Sequence, residues 1–158
     1  MKIVVVGNDA RASAIAALLE RGGYAVSTAA QGDGSAADVV VLAGQRAADS
    51  PAIAVSPDTI LIDAMSGHPD AETERALGRH YGTDRVVRAL IVLPQPGANI
   101  LFCGDDPATM REVERIVETC DCVPGNRGPL SNLDELEPDE GLDDQYDRLK
   151  DANTVPNP

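Results

Sequence analysis

A chain of 158 residues holds one ordinary domain of about 100–150 residues and little more, which excludes two large domains. Val, Ile, Leu and Phe number 37, enough to fill a core without disulfides or a metal, while zero Trp and one Phe remove most stacking platforms for bases. Twenty-six Asp and Glu against 13 Lys and Arg give a net charge of −13, which repels a phosphate backbone and argues against nucleic acid as a partner.

The charge is uneven. Residues 131–158 hold nine carboxylates and two bases, and apolar periodicity fades after Leu136. Residues 137–158 therefore read as an acidic, disordered tail, with Leu142, Tyr146 and Leu149 its one hint of an amphipathic turn, behind a domain spanning 1–136. Asp exceeds Glu by 17 to 9 and Lys occurs twice, a usage that fits a salt-adapted, halophilic protein. No apolar run approaches the ~18 residues of a membrane span, so no membrane contact is expected. Met1-Lys2 leads straight into an apolar run, and three Cys make no disulfide framework, so the chain is expected in the cytoplasm with reduced thiols. Association into a homo-oligomer is left open by this composition.

Short apolar runs alternating with helical stretches predict a parallel sheet with crossover helices. In chain order, Lys2–Val6 reads as a buried strand, Gly7 as a turn, and Ala10–Arg21 as a helix with Ala12, Ile15, Leu18 and Leu19 on one face, stopped by Gly22-Gly23. Tyr24–Thr28 and Val39–Ala43 read as the next strands. The Gly-, Ala- and Ser-rich segment Ala29–Asp38 between them is too short for an ordinary crossover, so that connection is expected to be minimal or non-helical. An Ala-rich, Pro-punctuated stretch precedes a strand at Thr59–Asp63 and a helix at Pro69–His80. Arg85–Leu93 and Asn99–Cys103 are strands joined by Pro94-Gln95-Pro96-Gly97, a turn that suits an antiparallel hairpin. Asp106 and Pro107 open a helix with Met110, Val113 and Val117 on its inner face, and Cys120–Pro124 is a last strand that buries Cys120 and Cys122 on one side. The fold class is α/β: a Rossmann-like, doubly wound, mostly parallel sheet with a hairpin near its C-terminal end.

A strand, a glycine turn and a helix at the start of the chain is the setting of the dinucleotide fingerprint Gly-x-Gly-x-x-Gly/Ala, whose helix-start amides hold a pyrophosphate. The six residues are Gly7-Asn8-Asp9-Ala10-Arg11-Ala12. Gly7 matches the first position and Ala12 the third; Asp9 stands where a glycine normally lets the backbone touch phosphate. At about 5 Å and an effective dielectric of about 20, a carboxylate beside a phosphate costs on the order of 3 kcal/mol, a weakening of roughly a hundredfold. Two readings follow: Arg11 offsets Asp9 and the loop still takes a dinucleotide, or Asp9 is a helix N-cap in a domain that takes none. The second strand leads into Ala30-Gln31, with neither an acid for a ribose 2′-hydroxyl nor an Arg for a 2′-phosphate unless Asp33 reaches back, so NAD and NADP are not distinguished here.

The opening Met1-Lys-Ile-Val-Val-Val-Gly7, the runs Val39–Ala43 and Leu61–Ala64, the stretch Leu101-Phe-Cys-Gly-Asp-Asp106 and the segment Gly128-Pro-Leu-Ser-Asn132 resemble the NADPH-dependent reductases of coenzyme F-420, a deazaflavin, across roughly residues 1–138. The resemblance implies hydride transfer between NADP(H) and F-420. It further implies cofactor contacts from Gly7, Asn8, Asp9, Arg11 and Ala12, with Ala43, Gly44 and Ala64 at strand ends near the nicotinamide. The chain departs from that family at Ala30-Gln31, at Met65-Ser66-Gly67 and at Arg88-Ala89-Leu90-Ile91. The alternative is a non-catalytic Rossmann-like module that binds another small ligand or a protein partner.

Other groups carry weaker signals. His68 sits in a loop after a strand, where such folds place ligand contacts, and His80 at a helix end reads as a dipole partner. Asp105-Asp106 is explained by capping before Pro107 without a metal. Because the Debye length shrinks from about 10 Å at 0.1 M salt to about 3 Å at 1 M, screening the excess of carboxylates is expected to raise the melting midpoint across that range. Melting curves in potassium chloride check this, and a flat or falling midpoint removes the halophilic reading.

Overall fold

The computed structural model describes residues 1–29, 31–44, 46, 51–91 and 94–136. The acidic segment 137–158, and with it the expected tail, lies outside the described residues, as do Ala30, Val92 and Leu93. The elements run β1 (Lys2–Val6), α1 (Ala10–Arg21), β2 (Ala25–Ala29), β3 (Gly32–Gly34), β4 (Val39–Leu42), β5 (Ile53–Val55), β6 (Ile60–Asp63), α2 (Ala71–Tyr81), β7 (Val86–Leu90), β8 (Asn99–Gly104), α3 (Pro107–Thr119), β9 (Val123–Asn126) and a 3-10 turn (Leu130–Glu135).

Among the described residues, seven strands make one sheet in the order β2-β1-β4-β6-β7-β8-β9. All neighbours are parallel except β7 and β8, which form the antiparallel pair expected from the Pro94–Gly97 turn. The first strands are buried on both faces, so β1 and β4 are continuous aliphatic runs rather than alternating ones. Ile3, Val5, Val39 and Val41 face α1 and α3, whose Ile15, Leu19, Met110, Val113 and Val117 complete that layer. Val4, Val6, Val40 and Leu42 face the other way and share a cluster with Leu77 and Tyr81 of α2. Helices thus cover both faces, and the sheet is doubly wound.

Three sequence readings need correction. Cys120–Pro124 is not a strand: Cys120 caps α3, Asp121 takes a left-handed φ of 59°, and pairing begins only at Val123. Both cysteines are buried, as expected, but a turn rather than a pleat presents them. The segment after β2 is non-helical as expected, yet it contains β3, which pairs in parallel with β5. A tripeptide Gly-Asp-Gly and a tripeptide Ile-Ala-Val carry no periodicity by which to find them. The third difference is at the start of α2, where Asp70 rather than Pro69 makes the boundary: its side chain accepts the Thr73 amide at 2.8 Å.

Helix α2 owes its close seating on β7 to Gly78, where a Cβ would lie 2.5 Å from Val86 Cγ2 and 2.7 Å from the Thr83 carbonyl oxygen. In an open helix, Gly→Ala stabilises by about 1 kcal/mol. Here the sign reverses: Gly78→Ala is expected to destabilise by about 1–2 kcal/mol through overpacking, read as a lower urea midpoint with an unchanged slope.

Candidate functional site

Chain order and sheet order part company between β1 and β4. From β1 the chain moves outward to β2, then returns to lay β4 on the opposite side of β1. The C-terminal ends of β1 and β4 are therefore neighbours at a reversal of strand order, the position where open parallel sheets bind ligands. A cleft of about 390 Å³ opens there, lined by Val6, Gly7, Asn8, Asp9, Ala43, Gly44 and Pro51.

Gly7 makes the convergence possible. Its φ is 151°, its amide donates to the Ala29 carbonyl at 2.9 Å, and a Cβ on it would stand 2.9 Å from Ala12 Cβ and 3.1 Å from the Ala43 carbonyl oxygen. Any side chain would push α1 and β4 away from the turn. Across the cleft, Gly44 has a φ of 95°, and a Cβ there would come within 3.0 Å of Asp9 Oδ2.

Asp9 is the N-cap of α1: Oδ1 accepts the Ala12 amide at 2.9 Å, and its carbonyl accepts the Ser13 amide at 3.2 Å. A carboxylate of the protein itself thus takes one of the donors at the helix's positive end. Five of the eight sequence-predicted site residues, Gly7, Asn8, Asp9, Ala43 and Gly44, meet in the cleft. The other three do not line it. Ala12 is buried behind the turn. Ala64 is wholly buried, its amide donating to the Leu42 carbonyl at 2.8 Å. Arg11 sends Nη2 to the Ile91 carbonyl at 2.6 Å, and its Nε is buried without a hydrogen-bond partner among the described residues.

A second group sits at the C-terminal ends of β6 and β7. Asp63 is completely buried; its Oδ2 lies 2.6 Å from Arg46 Nη2, and its Oδ1 accepts the Met65 amide at 3.0 Å. Arg88, 5% exposed, donates to three carbonyls of the following loop: Asp63 at 3.1 Å, Met65 at 2.6 Å and Gly67 at 3.0 Å. Arg46 takes the Ser66 carbonyl through Nε at 3.0 Å, and its own amide donates to Ser66 Oγ at 3.1 Å. The Ser66 amide donates to the Gly44 carbonyl at 2.9 Å, which ties this network to the cleft. Glu74 of α2 is also buried and has no hydrogen-bond donor on either oxygen among the described residues; Arg46 Nη2 stands 3.9 Å away. Burial, reinforced by the neighbouring Asp63, pushes the Glu74 carboxyl up to about 9.

In the sequence, Arg88 stands out only as a departure from the family pattern. Its signal was an arginine inside the apolar run Val86-Val87-Arg88-Ala89-Leu90, which requires a buried partner. The remaining candidates have plain roles. His68 borders a small cavity of about 20 Å³ with Arg88, room for a single water. His80 is in the last turn of α2, edge-on to Tyr81. Asp106 caps α3, and Asp105 receives Arg75 and the Leu130 amide. Burial raises the Cys103 and Cys120 thiols to about 11, which leaves them unreactive near neutrality.

No protein-family model and no curated protein matches the chain. Solved structures do. A reductive aminase from Aspergillus terreus, in complex with NADPH4, cyclohexanone and allyl amine, superposes with a TM-score of 0.65 at 16% identity over 95% of this chain and 62% of that one. The fold is Rossmann-like. An imine reductase from Myxococcus stipitatus in complex with NADP+ gives 0.65 at 15% identity, over 97% of this chain and 63% of its own. A hypothetical protein from Sinorhizobium meliloti gives 0.62 at 16%, over 84% of this chain and 87% of that one. The Rossmann-like chain thus spans somewhat under two thirds of the length of the two reductases. No helix among the described residues is long and apolar enough to cross a membrane.

Proposed function

We propose that this chain is a nicotinamide-dinucleotide-binding domain of the oxidoreductase kind, with NADP(H) as its cofactor and Gly7, Asn8, Asp9, Ala43 and Gly44 as its contacts. The observation that carries the reading is the cleft at the point where the sheet reverses, floored by a glycine at which a Cβ would strike both α1 and β4. The residues fit a pyrophosphate at the turn except for Asp9. When bound, such a cofactor would bring the hydride chemistry, and the chain's own contribution would be position. The residues that would hold it are the start of α1, whose free amides would meet the phosphates, Gly7 and Gly44, which would allow close backbone approach, and Ala43 at the end of β4. Hydride exchange with coenzyme F-420 is the finer form of the proposal, and it rests on the sequence resemblance alone. Arg11 contributes by holding the backbone after β7 at Ile91.

A second reading draws on the bond from the Ala12 amide to Asp9 Oδ1. In it the loop carries its own anion, and the domain binds another ligand or a partner. Calorimetric titration of NADPH, NADP, NADH and NAD into the native protein and Asp9→Gly separates the two. Removing the carboxylate should tighten NADPH binding about 10- to 100-fold, since a repulsion of order 1–3 kcal/mol is lost against a few tenths in helix capping. Affinities that are absent or identical in both proteins overturn the dinucleotide reading and favour the second.

A further inference from the structure

We propose that Arg46, Asp63, Glu74 and Arg88 form a proton-bridged latch that holds the loop after β6 and, through Ser66, sets the position of Gly44 in the cleft. Its link to cofactor binding rests on the dinucleotide reading; the latch itself does not.

Two guanidinia account for the carbonyls of Asp63, Met65, Ser66 and Gly67, so almost the whole loop is strung from side chains of other elements. Both converge on the Asp63 side chain. Arg46 Nη2, from the segment after β4, stands 2.6 Å from Asp63 Oδ2 of β6 and 3.9 Å from Glu74 Oε1, so the two buried carboxyls flank one guanidinium nitrogen, and Arg88 of β7 lies 3.5 Å from Asp63 Oδ1 on the other side. Of the other elements packed on α2, β5 brings no ionisable group, and the 3-10 turn keeps Asp134 and Glu135 exposed while Leu130 and Leu133 are buried. An ionised Glu74 would be a second buried carboxylate with no donor on either oxygen. A protonated Glu74 instead has a hydrogen to donate to Asp63, leaving both guanidinia to Asp63 and the loop. Loss of that proton sets Glu74 in competition with Asp63 for Arg46, 3.9 Å away, and draws Arg46 from Ser66.

The sign follows. The folded carboxyl sits near 9 against an ordinary 4.5, so folding takes up a proton between those values. The stability due to Glu74 is full below 4.5 and is lost as pH rises through 9. Glu74→Gln keeps the shape and a donor but cannot ionise. The melting midpoint of the native protein should therefore fall relative to Glu74→Gln as pH rises from 6 to 9.5. Amide exchange at Met65 and Ser66, corrected for its intrinsic pH dependence, should quicken at least tenfold over that range in the native protein and not in the variant. A midpoint difference independent of pH, or equal exchange in both proteins, overturns the latch. Should Glu74→Gln fail to fold, the carbon-13 shift of the native Glu74 carboxyl decides, and a titration near 4.5 is the overturning result. NADPH affinity is measured alongside, with a fall of tenfold or more expected by pH 9.5 in the native protein alone. If NADPH binds at no pH, the dinucleotide reading fails while the exchange data still judge the latch.

Discussion

A carboxylate taken wholly out of water costs several kcal/mol unless charged and hydrogen-bonding partners surround it, and Asp63 is taken out completely at the end of β6. That requirement organises the neighbourhood. It draws Arg88 into an otherwise apolar strand and turns Arg46 inward from the segment after β4. Each arginine has donors to spare after meeting Asp63, and those donors go to the backbone of residues 63–67. A loop without regular structure thus acquires the definition that strands obtain from ladders. Through the bond from the Ser66 amide to the Gly44 carbonyl, this definition reaches the wall of the cleft.

The cleft depends equally on missing atoms. Gly7 sits between Ala12 of α1 and the Ala43 carbonyl after β4, with no room for a Cβ, and Ala12 is the small residue that faces it from the helix. The same compactness gives the site its peculiarity. Where a glycine loop leaves its helix-start amides to a ligand, Asp9 places a carboxylate on one of them and directs its other oxygen toward Gly44. The cleft thus already contains an anion at the start of α1. On the proposed dinucleotide reading, cofactor affinity and helix capping are set against each other in this one side chain, with roughly a few tenths of a kcal/mol of capping lost on replacement by glycine against a repulsion of about 1–3 kcal/mol.

What could be read from the chain alone was local. Strands β1, β4 and β6 are aliphatic runs bounded by turn residues, and α1 and α3 announce themselves by an Asp cap and apolar positions at helical spacing. The glycine turn with Gly7, Asn8 and Asp9 and the parallel sheet with one antiparallel pair follow from the same short-range signals, whereas Ala43 and Gly44 entered only through the family resemblance. Tertiary structure alone decided the rest. Arg11 lies in the first turn of α1 beside the glycine turn, yet its guanidinium ends on the Ile91 carbonyl 80 residues away. Arg46 and Asp63 are 17 residues apart, and Arg88 reaches Asp63 across 25. They meet because parallel pairing brings the C-terminal ends of β4, β6 and β7 to one edge of the sheet, and no periodicity within a strand or helix records which ends will be neighbours.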